Sequence, residues 1–154
     1  MDLTLSLPGG LWERIRSVRE RVAEACAELP VDVRAAAVMV TSELVENAVK
    51  YGVAVPGLDE IVVRFRIGAG HITVEVANGV ATRAAYERVA AHIERIRQAP
   101  SRAELYIARL QDLMCSPGAS GGLGLYRMGF EGEFDLSCEC NGQVLTVCAT
   151  RKLP

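Results

Sequence analysis

The sequence predicts an α+β two-layer sandwich, with a mixed but mainly antiparallel sheet of about five strands covered by helices on one face. Two observations carry this. Two stretches alternate apolar and polar residues around a tight turn, and the long segments between and before them repeat apolar residues every three or four positions. The resulting order is strand, two helices, hairpin, two helices, glycine loop, short helix, hairpin. At 154 residues the chain has the common size of one domain, able to bury roughly 70% of its unfolded surface. A single domain over 1–154 is expected, with a helical insert at about 80–120.

The N-terminal residues Met1 to Pro8 alternate as a strand does. Leu11, Ile15, Val18, Val22, Cys26 and Leu29 then mark an amphipathic helix that should run until Pro30 stops it. Asp32 is placed to cap a second helix reaching about Tyr51. On that helix Val33, Ala37, Val40, Leu44, Ala48 and Tyr51 fall within one arc, which should face the sheet. Val38, Val45 and Val49 lie nearly opposite, leaving Glu43, Glu46, Asn47 and Lys50 as a narrow polar stripe.

A hairpin follows, with Ile67 opposite Ile72, Phe65 opposite Val74 and Val63 opposite Val76 on one face, and Arg64 opposite Glu75 on the other. Two helices come next. One spans about Thr82 to Gln98 with Tyr86, Val89, Ile93 and Ile96 inward; the other opens on the capping-box spacing Ser101 to Glu104 and ends near Ser116 to Gly118. A short helix should cover Leu125 to about Phe130. The last hairpin turns at Asn141-Gly142, read as a type I′ turn that sets Phe134, Leu136 and Cys138 against Ala149, Val147 and Leu145.

Composition removes several classes of function. Half of the residues are hydrophobic and 23% charged, and the longest apolar run, Ala35 to Val40, is too short to span a bilayer, so no membrane partner is expected. No basic segment precedes an apolar one at the N-terminus, which predicts a cytoplasmic protein without a secretion signal. With 17 basic and 19 acidic residues the net charge is -2, and no overall field attracts a nucleic acid. The five cysteines are scattered without paired metal-ligand spacing. Cys138 and Cys140 read as small buried hydrophobes. His71 reads as a turn residue, His92 as part of a solvated helix face, and Arg88, Arg95, Arg97 and Arg102 as solubilising.

Two segments carry chemistry. Glu43 and Asn47 are four residues apart, hence on one helix face, where a carboxylate can orient a water or hydroxyl and a carboxamide oxygen can bind magnesium. The loop Gly118-Ala119-Ser120-Gly121-Gly122-Leu123-Gly124 lies before a short helix, so its backbone N–H groups can approach a phosphate. It follows no strand and contains no GxxxxGK[ST], which excludes the dinucleotide and P-loop fingerprints. A plain turn, and a purely structural polar seam at Glu43 and Asn47, are the simpler readings.

Together and in this order, Glu43-Leu44-Val45-Glu46-Asn47-Ala48-Val49-Lys50-Tyr51 and Gly122-Leu123-Gly124-Leu125 resemble the histidine-kinase-like ATPase (GHKL) superfamily. The wording is most similar to small bacterial anti-sigma-factor serine kinases and related single-domain regulators, and the resemblance covers nearly the whole chain. It implies a Bergerat-type fold, ATP and magnesium as cofactors, and a regulatory protein partner whose serine is phosphorylated. Glu43 would then be catalytic, Asn47 would bind magnesium and cofactor, and Lys50, Gly79, Gly122 and Gly124 would bind cofactor. Related regulators are often homodimers. The chain departs from the family at the adenine-reading Asp-x-Gly, where Ala77-Asn78-Gly79 stands instead. That departure raises the alternative of a catalytically inactive pseudo-ATPase that regulates by protein contact.

Overall fold

The structure, a computed structural model, describes residues 1–6, 10–116 and 123–154. Its five strands are β1 (Asp2–Ser6), β2 (Val62–Gly68), β3 (His71–Gly79), β4 (Asp135–Asn141) and β5 (Val144–Lys152), and its helices are α1 (Leu11–Ala25), α2 (Val31–Tyr51), α3 (Arg83–Gln98), α4 (Arg102–Cys115) and α5 (Leu123–Phe130). The strands form one sheet in the order β1-β2-β3-β5-β4, and every neighbouring pair is antiparallel. The expected α+β architecture is present, with no parallel component among the described residues. No helix among them is long and apolar enough to cross a membrane.

Alternation decides which face of the sheet is covered. Val63, Phe65, Ile72, Val74, Val76, Leu136, Leu145 and Ala149 point to the buried side, while Arg64, Arg66 and Glu75 lie on the other and form ion pairs at 3.9 and 3.1 Å. A face this uniformly apolar can only be stable beneath helices, at about 25 cal/mol per Å² of apolar surface removed from water. Helix α2 supplies the main cover through Val33, Ala37, Val40, Leu44 and Ala48. Its far side buries Val45, and α1 packs against it with Val18, Val22 and Cys26. Burial pushes the Cys26 thiol up to about 11, so it stays a neutral hydrophobe. All five cysteines are free, and Cys138 and Cys140 are half-buried at the edge of the core.

The first hairpin has the expected register, Ile67 facing Ile72 and Arg64 facing Glu75. Its turn places Ala69 at φ 51° and Gly70 at φ 74°, and His71 reaches back to the Ala69 carbonyl at 2.9 Å. The second hairpin differs. Asn141 pairs with Val144, so the loop is Gly142-Gln143 and Leu136 faces Ala149 rather than Val147. Only the first loop residue, Gly142, has positive φ, at 62°, which matches a Gly-X turn of the II′ kind rather than Asn-Gly of type I′.

Helix boundaries correct three other expectations. α1 stops at Ala25, because Cys26 leaves helical geometry and the chain closes in short turns to Leu29. The N-cap of α2 is Pro30, with Asp32 inside the first turn and making no cap bond. Tyr51, at the last turn of α2, is exposed. The caps of α3 and α4 match the sequence: Thr82 accepts from Ala85 N and Ser101 from Glu104 N. These two helices lie where the helical insert is expected.

Helix α5 buries Leu125, Tyr126 and Met128. At Gly129 it meets α3 so closely that a Cβ there would lie 2.8 Å from Ile96 Cγ2. Arg102, at the start of α4, ties the end of α5 to β4 by donating to the Gly129 and Phe134 carbonyls at 3.2 Å and pairing with Asp135.

Candidate functional site

The polar stripe of α2 meets the first turn of α5. Both the i to i+4 spacing and the buried flanks of α2 direct Glu43 and Asn47 to that contact. A Cβ on Gly124 would lie 2.6 Å from Glu43 Oε2 and 3.8 Å from Asn47 Nδ2, so α5 sits low over the stripe at this glycine. Three expected site residues, Glu43, Asn47 and Gly124, are therefore brought together. Gly122 lies outside the described residues.

A fourth residue, absent from the sequence reading, completes the cluster. Arg127, one turn along α5 from Gly124, donates from Nη1 to Glu43 Oε1 at 3.1 Å and from Nε to Glu131 Oε2 at 2.6 Å. Its hydrogen bond to Glu131, then the charges of Glu131 and Glu43, hold its guanidinium above the ordinary arginine range. Tyr106 of α4 donates to the same Glu131 at 3.4 Å. Burial and the Glu131 charge raise its phenol above the usual value. One of the two Glu43 carboxylate oxygens is thus engaged by a cation, and the other faces the backbone of Gly124.

Beside this cluster a cavity of about 190 Å³ opens between α2, α3, α5 and the inner face of β3 and β5. Leu44, Val76, Val89, Leu125, Leu145 and Val147 contribute apolar walls, and Asn47, Asn78, Arg88 and His92 contribute polar groups. No Asp or Glu lines it among the described residues. Asn78 belongs here by strand parity. It shares the inner face of β3 with Ile72, Val74 and Val76, whereas Ala77 faces away from the helices. The sequence reading looked for the adenine reader at position 77; the residue that β3 turns toward the cavity is Asn78, and it is an amide.

The remaining expected site residues stand apart. Lys50 is exposed and pairs with Glu46 at 2.6 Å, one turn back on α2; that hydrogen bond raises its ammonium above the usual lysine range. Gly79 is crossed by the segment after α2: Val53 N donates to its carbonyl at 3.0 Å. A Cβ on Gly79 would meet the Val53 carbonyl at 2.1 Å and the Val55 methyls at 2.7 and 2.9 Å. Its lack of a side chain is accounted for by this crossing.

Two expectations about surface residues do not survive. His92 is half-buried, bonded to Tyr126 Oη at 2.9 Å with the rings edge to face. Burial, then Arg109 and Arg95, push its imidazole below the usual histidine range. Arg102 holds backbone carbonyls instead of serving solubility alone.

The residues at hand bear on magnesium and a nucleotide triphosphate in a definite way. No group of three or more His, Cys, Asp or Glu able to hold a metal exists among the described residues, and the side chains beside Gly124 are the Glu43 carboxylate and the Asn47 carboxamide. Glu43 already has a guanidinium partner. That leaves one carboxylate oxygen and one carboxamide, a sparse set for a divalent ion that also takes phosphate oxygens. No protein-family model matches the chain, and no curated protein matches it.

Proposed function

We propose that the chain is a signalling regulator of the histidine-kinase-like ATPase type that acts by contact with a partner protein and transfers no phosphate. The observation that carries this is the state of Glu43: its carboxylate is held by Arg127 at 3.1 Å, while the adjoining cavity has no carboxylate of its own among the described residues. A general base must be free to accept a proton within hydrogen-bond reach of its substrate. Glu43 is committed elsewhere. A contact surface is available beside the same cluster, where Trp12, 78% exposed, and Val31, 71% exposed, line a groove of about 490 Å³ between α1 and α2 that Glu43 and Arg127 also line. Exposed apolar surface of this kind marks protein contacts.

Calorimetry with ATP, with and without magnesium, on the wild type and on Asn47→Ala tests the reading. The expected result is no magnesium-dependent heat in either protein. Magnesium-dependent binding that Asn47→Ala abolishes would overturn it. Overexpression in a bacterial host should alter transcript levels equally for the wild type and Asn47→Ala, and not for Trp12→Glu.

A second reading retains phosphate transfer to a partner serine, as in the anti-sigma-factor serine kinases. It is favoured by the convergence of Glu43, Asn47 and Gly124 within one contact. Transfer of labelled phosphate from ATP to a serine-bearing partner would establish it.

A further inference from the structure

The cavity between α2, α3, α5 and the sheet has a chemistry that does not depend on any family resemblance. We propose that it binds a small planar aromatic carboxylate of one or two fused rings, with the ring between the apolar walls and the acid group on Arg88. This goes beyond the regulator reading by naming what the cavity recognises.

Size comes first. An apolar cavity of roughly 150 Å³ accepts benzene, so about 190 Å³ accommodates a ring system slightly larger. Shape and polarity agree, since binding cavities are mostly apolar with few placed polar groups. Here Leu44, Val76, Val89 and Val147 form facing walls from helix and sheet, the environment that favours a flat hydrocarbon face.

Charge selects the acid. Helix α3 carries two glutamates that could neutralise its arginines, and both are committed, Glu87 to Arg83 at 3.6 Å and Glu94 to Arg97 at 3.7 Å. Arg88 borders the cavity and makes no ion pair among the described residues. Among the described residues no Asp or Glu lines the cavity, and Arg88 is its charged group. A guanidinium beside an apolar wall matches a carboxylate in geometry and charge. His92 adds no second cation at neutral pH, because burial lowers its pKa and Tyr126 takes its Nδ1.

Asn78 refines the ligand. It is 7% exposed, and its Nδ2 donates to the Gly79 carbonyl at 2.9 Å. Its carbonyl oxygen accepts no hydrogen bond among the described residues, and the residue lines the cavity, so a ligand donor can pair with it. A ring N–H, as in an indole acid, supplies one.

Calorimetry on the full chain at pH 7.5 tests the assignment with indole-3-acetate, the neutral indole-3-acetamide, and ATP with magnesium as competitor. The acid is expected to bind at least tenfold more tightly than the amide. Arg88→Gln, at an exposed position, should remove that difference while leaving the amide's affinity unchanged. Val89→Trp should plug the cavity and abolish binding of both; should it melt early, Ala85→Leu in the first turn of α3 is the plug. Absence of binding by both indoles, equal affinity for acid and amide, or displacement of the acid by equimolar ATP would each overturn the proposal.

Discussion

Arg127→Met removes the guanidinium from Glu43 while keeping an unbranched apolar stem over α5. The Arg127 and Glu43 side chains are 43% and 23% exposed and 3.1 Å apart. A fully exposed pair contributes roughly 0.2–1 kcal/mol, and a hydrogen bond to a charged group in a dry site about 1.5–3 kcal/mol. Exposure places this pair near the lower range, at about 1 kcal/mol of coupling. For a chain of this size that corresponds to roughly 2–4 °C in Tm. The measurement is urea denaturation of the wild type, Arg127→Met, Glu43→Gln and the double variant, because only the cycle separates the pair from the single substitutions. Coupling should fall on going from 0.1 to 1 M salt, as the Debye length shortens from about 10 to 3 Å. A coupling energy below about 0.3 kcal/mol at low salt would refute the argument that Arg127 holds Glu43.

Three further outcomes are expected. Gly129→Ala should lower stability by about 1 kcal/mol, the roughly 1–3 kcal/mol of overpacking against Ile96 Cγ2 at 2.8 Å outweighing a helix-propensity gain of about 1 kcal/mol. Ile96→Leu, which removes that methyl, should reduce the cost in a double-variant melt. Ala69→Asn should stabilise by roughly 0.5–1 kcal/mol in chemical denaturation, since Ala69 has φ 51° and asparagine tolerates the left-handed region better. His92 has a folded-state pKa below its ordinary 6.5, so the unfolded chain binds more protons and the neutral imidazole stabilises fully only above that value. Stability should therefore decline as pH falls from about 6.5 through the folded pKa, and His92→Gln should flatten that decline in Tm-against-pH measurements.

Much of the fold was legible because each face of the sheet meets a different environment. In the first hairpin, any odd shift would expose Val63, Phe65, Val74 and Val76, so one register follows from alternation. The second hairpin shows the limit of that logic. A shift of two residues keeps Leu136, Cys138, Leu145 and Val147 on the same side, and alternation cannot detect it. The turn decides instead, and Gly142 takes its positive φ at the first loop position rather than the second. The α2 arc was legible until its end, where Tyr51 passes beyond the sheet and becomes exposed.

The site divides along similar physical lines. Local spacing put Glu43 and Asn47 on one face, and strand parity, carried two residues past Val76, would have put Asn78 with the core. Arg127 had no local signature. It lies 84 residues from Glu43 on an eight-residue helix, too short for periodicity to orient, and only the tertiary docking of α5 makes the pair. That docking brings two small residues close to their neighbours, Gly124 over Glu43 and Gly129 against Ile96. Gly124, one of the two glycines of the phosphate-loop resemblance, is thus also the point where α5 packs on the Glu43 side chain. A glycine-rich helix start therefore cannot by itself distinguish a nucleotide site from a close helix contact; the partner of Glu43 can, because a base paired to a guanidinium and a base free to take a proton respond oppositely to Arg127→Met.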